Sequence, residues 1–373
     1  MVAGQFNSAP SSLSLQQRNT VLSRTVTKHV LTNHTMKKSL TILFGLAASG
    51  VAMAQASTVT IFGSIDLNLT YSKAGTEKSK AMDQGGYLLP SRIGFRGTED
   101  LGGGLSAGFW LESALLPNTG ATQGAFWGRR STVSLAHNQY GELRLGRDYT
   151  PVFWNVSQFA PFGTVGVGGS SNIIEGWPLG LGSAKTLARA SNSVGYFLPR
   201  NLGGIYGQVT VSDSAGVDGA KHQGARLGYE SGPLNIAAAY GVTDTAAGDF
   251  KTATVGGTFD FRVVKVYANY LQHKLQGDKQ TNVLLGVAVP AGVGIIKASA
   301  AQSNRSGPGV EGDDARQFAI GYVHPLSKRT TLYTAYSHIK NDGSAAYVTA
   351  DSSPAGVPGE KSSGFQVGIN HAF

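Results

Sequence analysis

Arginines in alternating segments are the residues of this chain with the clearest capacity for chemistry. In 91–97 the apolar Ile93 and Phe95 share one parity, and Arg92 and Arg96 share the other. Successive side chains of a strand point to opposite faces, so both guanidinium groups belong to a polar face. A guanidinium stays charged at any ordinary pH, and a group of them attracts anions without making or breaking bonds.

The same alternation recurs in two later segments. It puts Arg144 and Asp148 on one polar face and Arg130 on another, and leucine or valine residues form the opposite face of each segment.

Other kinds of chemistry, such as catalysis or metal binding, have little support in the sequence. The chain has no cysteine and eight histidines, and the histidines show no metal-ligand spacing. Since neither a nucleophile elbow nor a phosphate loop is found, we predict no enzyme, no catalytic residue, no metal and no cofactor.

Long strands must position these charges. From Thr58 to Tyr71 apolar and polar residues alternate, and the pattern returns at residues 364–373. A transmembrane β-strand takes about 9–11 tilted residues, so each segment is long enough to cross a bilayer. The first and last strands are therefore expected to close a barrel with an apolar outside and a polar inside.

Between those ends, strand-like segments follow one another with no convincing helix. They number sixteen, an even number as bacterial barrels require. We predict strands at 58–71, 86–99, 104–115, 125–137, 139–149, 189–200, 203–213, 221–231, 233–243, 250–261, 262–273, 279–290, 293–304, 313–325, 328–341 and 360–373. The predicted fold class is all-β: a transmembrane antiparallel β-barrel of 16 strands. Its long connections are 73–85, 341–360 and above all 150–188.

The segment 150–188 is long and rich in aromatic residues and glycine. Loops beyond about 15 residues are usually functional or disordered, and aromatic residues argue against disorder. Packing against the inside of the barrel would bury the aromatic rings of this segment. Its ionised side chains are Glu175 and Lys185, and Glu175 either opposes the arginines across the pore or lies in solvent.

The N-terminal region has the pattern of a signal peptide. Lys37 and Lys38 precede a short apolar run, and 52–54 reads Ala-Met-Ala, a small-x-small cleavage form. We predict a signal peptide at 36–54, a mature barrel at 55–373, and an upstream extension at 1–35 that reflects a misplaced start. Removing the five basic residues of 1–54 lowers the formal net charge from +9 to +4. That removes most of the support for nucleic-acid binding.

Several motifs together resemble the trimeric general porins of Gram-negative bacteria, especially the betaproteobacterial branch. They span most of the chain after residue 36. The motifs are Val-Thr-Ile-Phe-Gly at 59–63, Ser-Arg-Ile-Gly-Phe-Arg-Gly-Thr-Glu-Asp-Leu-Gly-Gly-Gly-Leu at 91–105, Leu-Gly-Arg-Asp-Tyr-Thr-Pro at 145–151, Asn-Ser-Val-Gly-Tyr at 192–196, Leu-Ser-Lys-Arg-Thr at 326–330 and the terminal Phe373.

The resemblance implies a homotrimer in the cell outer membrane, with the third external loop, here 150–188, folded into the lumen. It implies that Arg129 and Arg189 line the constriction. Parity alone puts Arg129 on the lipid side, at a cost of about 2–4 kcal/mol at the bilayer midplane, and a bulge would resolve the conflict. The terminal Phe373 resembles the signal read by the barrel-assembly machinery. Outer-membrane lipid and lipopolysaccharide would surround the protein.

The function so implied is passive diffusion of small hydrophilic solutes and ions, with anions preferred because of Arg92, Arg129, Arg130 and Arg189. For each arginine the alternative is a rim residue that binds lipopolysaccharide phosphate or pairs with an acid. For the whole protein the alternatives are a substrate-specific channel for small organic anions, an outer-membrane barrel enzyme, or an adhesin. Sequence alone does not separate a general channel from a specific one.

Overall fold

The computed structural model describes residues 58–86, 90–174 and 184–373. The strands in these ranges form one continuous antiparallel sheet. The strands are β1 Thr58–Ala74, β2 Glu77–Gln84, β3 Arg92–Gly102, β4 Leu105–Leu116, β5 Ala121–Thr122, β6 Arg130–His137, β7 Gly141–Tyr149, β8 Arg189–Phe197, β9 Ile205–Ser212, β10 His222–Ser231, β11 Leu234–Thr245, β12 Gly248–Asp260, β13 Lys265–Leu275, β14 Asp278–Ala291, β15 Gly294–Ser306, β16 Ala315–Pro325, β17 Thr330–Asn341 and β18 Ser362–Ala372. Helix α1 spans Pro151–Gln158, and a 3₁₀ turn spans Ser170–Asn172.

The sheet closes on itself, as the alternating ends of the chain predict. β1 pairs with β18 over eleven residue pairs, and Gly63 and Phe373 exchange two backbone hydrogen bonds of 3.1 Å. β2 and β3 both pair with β1, one along each half, so together they make a single crossing. β5 is a two-residue strand inside a connection. Sixteen crossing strands remain, which confirms the predicted fold class.

The two faces of the wall differ as a membrane barrel requires. On β1 the outward residues Val59 and Ile61 are 65% and 59% exposed, whereas the inward Asp66 and Asn68 are 0% and 3% exposed. An apolar outer face and a polar inner face match lipid outside and water inside. In the three described ranges, no helix has the length and apolar character needed to cross a membrane.

Two sequence predictions about elements are wrong. The expected loop 73–85 contains β2, which pairs with β1 around a turn at Gly75, where φ is +57°. The sequence of β2 is highly charged, and its strand form comes from pairing with β1 rather than from hydrophobic alternation. The absence of helices is also wrong, because Thr150 caps α1 by accepting from the Phe153 amide and Pro151 occupies its first turn.

The long segment packs on the inward face of the wall. Glycines there leave room for it: a Cβ added to Gly256, Gly286 or Gly321 would lie 2.4, 2.6 and 3.0 Å from Phe159, Pro161 and Phe162 respectively. Polar side chains hold the backbone as well, with Asn155 on α1 donating to Ala237 O at 3.1 Å, and Gln280 and Asn282 each donating at 3.2 Å to Ile173 O and Ile174 O.

We call the end of the barrel with the tight turns at 103–104 and 138–140 the turn side. The opposite end, where the segment 150–188 leaves the wall, is the loop side.

Candidate functional site

A carboxylate shared by two arginines forms the first charged cluster on the inner wall. Glu112 of β4 accepts from Arg92 Nη1 at 3.1 Å and from Arg129 Nε at 2.5 Å. The Trp110 indole donates to its other oxygen at 3.0 Å. The Glu112 side chain is only 3% exposed, so one buried negative charge faces two positive ones. The sequence pattern passed over Glu112, although its inward parity on β4 could have identified it.

The structure decides how Arg129 and Arg130 both reach the lumen. Arg129 lies before β6, after a turn in which the Gly128 amide donates to Ala125 O at 2.8 Å. The alternation of β6 therefore starts at Arg130 and does not extend to Arg129. The parity prediction that puts Arg129 on the lipid side is wrong for this reason. Its guanidinium points inward to Glu112 and is buried.

Arg189 joins this cluster through aromatic rings. Its guanidinium lies 4.5 Å from the ring centroid of Tyr149, and the Tyr149 ring stacks on Phe153 of α1 at 5.1 Å with 9° between planes. Arg189 Nη2 and Arg129 Nη2 donate to the Tyr149 hydroxyl at 3.0 and 2.8 Å. Arg189 has no ion pair within the described ranges. We call Arg92, Glu112, Arg129, Tyr149 and Arg189 the loop-side cluster.

A second group, the turn-side cluster, consists of Arg130, Glu142, Arg144 and Asp148. Arg144 Nη1 lies 2.6 Å from Asp148, and its Nη2 lies 2.9 Å from Glu142. Arg130 Nε lies 3.6 Å from Asp148 and stacks over the Trp110 ring at 4.5 Å. Two arginines face two carboxylates, so this cluster is electrically balanced, unlike the first.

The remaining sequence candidates lie elsewhere. Arg96 extends over the rings of Phe62 and Trp110 at 5.3 and 5.2 Å, and in the part of the chain the structure describes it forms no ion pair. Phe373 follows the closing strand β18 directly. Glu175 lies outside the described residues, as do the predicted signal peptide and upstream extension. The described residues contain no group of three or more His, Asp or Glu that could hold a metal.

Two cavities follow one another through the lumen. The loop-side cavity, of about 610 Å³, is lined by Arg92, Arg129 and Arg189 and also by Asp83 and Asp351. The turn-side cavity, of about 750 Å³, is lined by Arg130 and Arg144 among others. Both are also lined by Trp154 and Gln158 of α1. The space inside the wall therefore narrows where α1 projects, with the unbalanced cluster on one side of the narrowing and the balanced one on the other.

Comparison with known proteins agrees with this architecture. Residues 39–344 match the family described as Gram-negative porin. The chain is a Gram-negative porin. It is 38% identical to outer membrane porin protein 32 of Delftia acidovorans, over 91% of this chain and all of the relative. An outer membrane porin protein of Bordetella pertussis is 29% identical over the same shares.

Solved structures give the same result. The porin aligns with the anion-selective porin from Comamonas acidovorans at a TM-score of 0.77 and 32% identity, over 85% of this chain and all of the other. It aligns with OmpF of Salmonella typhi, in complex with daunomycin, at 0.63 and 15% identity, over 85% and 98%, which shows the fold alone. The porin is thus an outer-membrane channel rather than an enzyme, as its sequence predicts.

Proposed function

We propose that this porin is a passive channel for small hydrophilic solutes that prefers anions. The observation that carries the proposal is the charge of the loop-side cluster. Arg92, Arg129 and Arg189 place three positive charges beside the narrowing, and Glu112 is the carboxylate in contact with them. Asp83 and Asp351 also line the loop-side cavity, and within the described residues neither forms an ion pair with these arginines. The similar Comamonas structure is described as anion-selective, which supports the same preference here.

The size of the effect follows from Coulomb's law. Two unit charges about 4 Å apart interact by about 1 kcal/mol in water and by about 4 kcal/mol at an effective dielectric constant of 20. A water-filled passage beside a protein wall lies between these values. The two net positive charges of the loop-side cluster, which lie beside the narrowing itself, can therefore favour anions over cations several-fold. Salt weakens the bias, because the Debye length falls from about 10 Å at 0.1 M to about 3 Å at 1 M.

The zero-current potential in a potassium chloride gradient tests this preference. We expect an anionic sign for the native porin and a clearly smaller potential for Arg129→Gln combined with Arg189→Gln. Arg316→Gln is the control, because Arg316 lies on the outward face of β16 and should leave the potential unchanged. A cationic potential in the native porin, or no change in the double variant, would contradict the proposal.

We also propose that the porin acts as a homotrimer, contacts lipopolysaccharide and lipid, and is inserted by the barrel-assembly machinery through Phe373. Family membership supports this assembly. Native mass measurement in mild detergent tests it, and a monomer would count against the trimer. N-terminal sequencing of membrane-extracted protein tests the predicted cleavage, which should leave Gln55 first.

A further inference from the structure

Arg226 is a pore-facing arginine that belongs to neither cluster. It lies on the inward parity of β10, and its guanidinium lies 4.9 Å from the ring centroid of Tyr206. Its Nε donates to Asn155 Oδ1 of α1 at 3.1 Å, and its Nη2 donates to Gln158 Oε1 and to the Tyr206 hydroxyl. The side chain is therefore held against α1 at the narrowing, with its position fixed by four contacts.

All the acceptors of Arg226 are neutral. Among residues 58–86, 90–174 and 184–373 it forms no ion pair, and its Nη1 group has no hydrogen-bond partner. Arg144 in the same cavity is different, because Glu142 and Asp148 both bind it. Arg226 thus presents a full positive charge and free N–H groups, which are the donors that bind carboxylates most strongly.

The surroundings of Arg226 are partly apolar. The turn-side cavity is lined by the rings of Trp154, Phe197 and Tyr206 and by Leu198 and Pro199. The Arg144 guanidinium lies over one face of the Phe197 ring, 3.9 Å from its centroid, so the other face and the edge of that ring are left for a solute. Its acids leave the charge of Arg226 uncompensated: Glu142 is bound by Arg144, and Glu230 is an exposed residue at the end of β10. Small-molecule sites commonly combine apolar walls with a few placed polar groups.

We infer that Arg226 and these rings form a subsite for small aromatic carboxylates on the turn side of the narrowing. The carboxylate would accept from Arg226 Nη1, and the ring would lie against Trp154 and Phe197. An inorganic anion or acetate would use the charge but not the rings. The inference rests on the proposed anion preference and names a solute class for it.

The test compares benzoate with acetate as blockers of the chloride current in planar bilayers. For the native porin we expect benzoate to block at lower concentration than acetate. Arg226→Gln should weaken the benzoate block about tenfold, the value of one charge-assisted hydrogen bond. Phe197→Leu should weaken the benzoate block and leave the acetate block, because it removes a ring and no charge, and Arg144, which lies over that ring, is still held by Glu142 and Asp148. Arg316→Gln on the outer face serves as the control, and benzoate and acetate should block its current at the same concentrations as in the native porin.

The outcomes separate the two proposals. A cationic zero-current potential in the native porin would overturn the anion preference itself. An anionic potential with equal block by benzoate and acetate would overturn only the subsite. An unchanged benzoate block in Arg226→Gln would also overturn it. Should Arg226→Gln fail to assemble, Phe197→Leu still decides, since a benzoate block equal to the native value would overturn the role of the rings.

Discussion

At the scale of single residues, Glu112 controls the net charge of the loop-side cluster. It is the carboxylate that both Arg92 and Arg129 contact, at 3.1 and 2.5 Å. Breaking a buried ion pair by removing one partner costs about 3–5 kcal/mol, because the remaining charges stay buried without compensation. Loss of the Glu112 charge is therefore expected to increase the anion selectivity and to decrease the stability of the fold.

Glu112→Gln should strengthen the anion preference and weaken the fold. The amide removes one negative charge beside the narrowing, so the zero-current potential should become more anionic. The two arginines then repel each other, and the free energy of unfolding should fall by about 3 kcal/mol. Glu360→Gln is the matched control, since Glu360 is exposed in the connection between β17 and β18. An unchanged potential in Glu112→Gln would show that this carboxylate does not influence the passing ions.

Residue-scale prediction from sequence works where the backbone is regular. Arg92, Arg130 and Arg144 lie on the inward parity of β3, β6 and β7, as alternation predicts. Alternation misplaces Arg129 because that residue precedes the strand. Alternation also does not identify ion-pair partners, so from sequence Arg130 resembles an unpaired charge although Asp148 compensates it. Alternation does not single out Arg226, because its importance comes from contacts with α1, which lies about 70 residues away in sequence.

At the scale of elements, the segment that follows β7 packs closely against the barrel wall. Phe159 is fully buried, and a Cβ on Gly256 of β12 would lie 2.4 Å from its ring and 2.9 Å from its Cβ. The ring therefore fills the space that a side chain at Gly256 would need. Any side chain at Gly256 would push the segment away from the wall and toward the pore axis.

Gly256→Val should therefore lower the single-channel conductance. Overpacking of this kind also costs about 1–3 kcal/mol, so a lower thermal stability is expected as well. Gly257→Val is the control, because Gly257 has the outward parity and its nearest neighbour to an added Cβ is Asn235 O at 3.1 Å. Equal conductance in Gly256→Val and the native porin would show that Phe159 does not hold the segment in place.

Elements were predictable from sequence to the extent that lipid and water impose alternation on them. Strands β7 to β18 fall close to their predicted bounds for that reason, whereas β6 begins at Arg130 rather than at the predicted residue 125. β2 lacks alternation, and its form depends on β1, so its own sequence resembles a loop. Helix α1 has only eight residues, too few for a clear helical period, and it exists because Thr150 caps it and β9 to β12 support it.

At the scale of the whole molecule, closure of the barrel depends on its two ends. Gly63 near the start of β1 and Phe373 after β18 exchange backbone hydrogen bonds, and the Phe373 ring covers Gly63 so closely that an added Cβ would lie 2.5 Å from it. The sequence predicted this closure from two alternating ends. The sequence alone does not predict that the Phe373 ring packs directly against Gly63 of β1.

The contact of Phe373 with Gly63 and its proposed role in assembly are separable, and two variants distinguish them. Deleting Phe373 removes the backbone pair with Gly63 and the aromatic ring, whereas Phe373→Ala keeps the backbone pair and removes only the ring. If the ring is the signal for assembly, both variants should lower the amount of folded porin in the outer membrane, yet Phe373→Ala should refold in detergent with nearly native stability. Heat-resistant mobility on gels measures folding in both settings. Native membrane yield of Phe373→Ala would contradict the assembly role, and poor refolding in detergent would instead assign the ring to closure of the barrel.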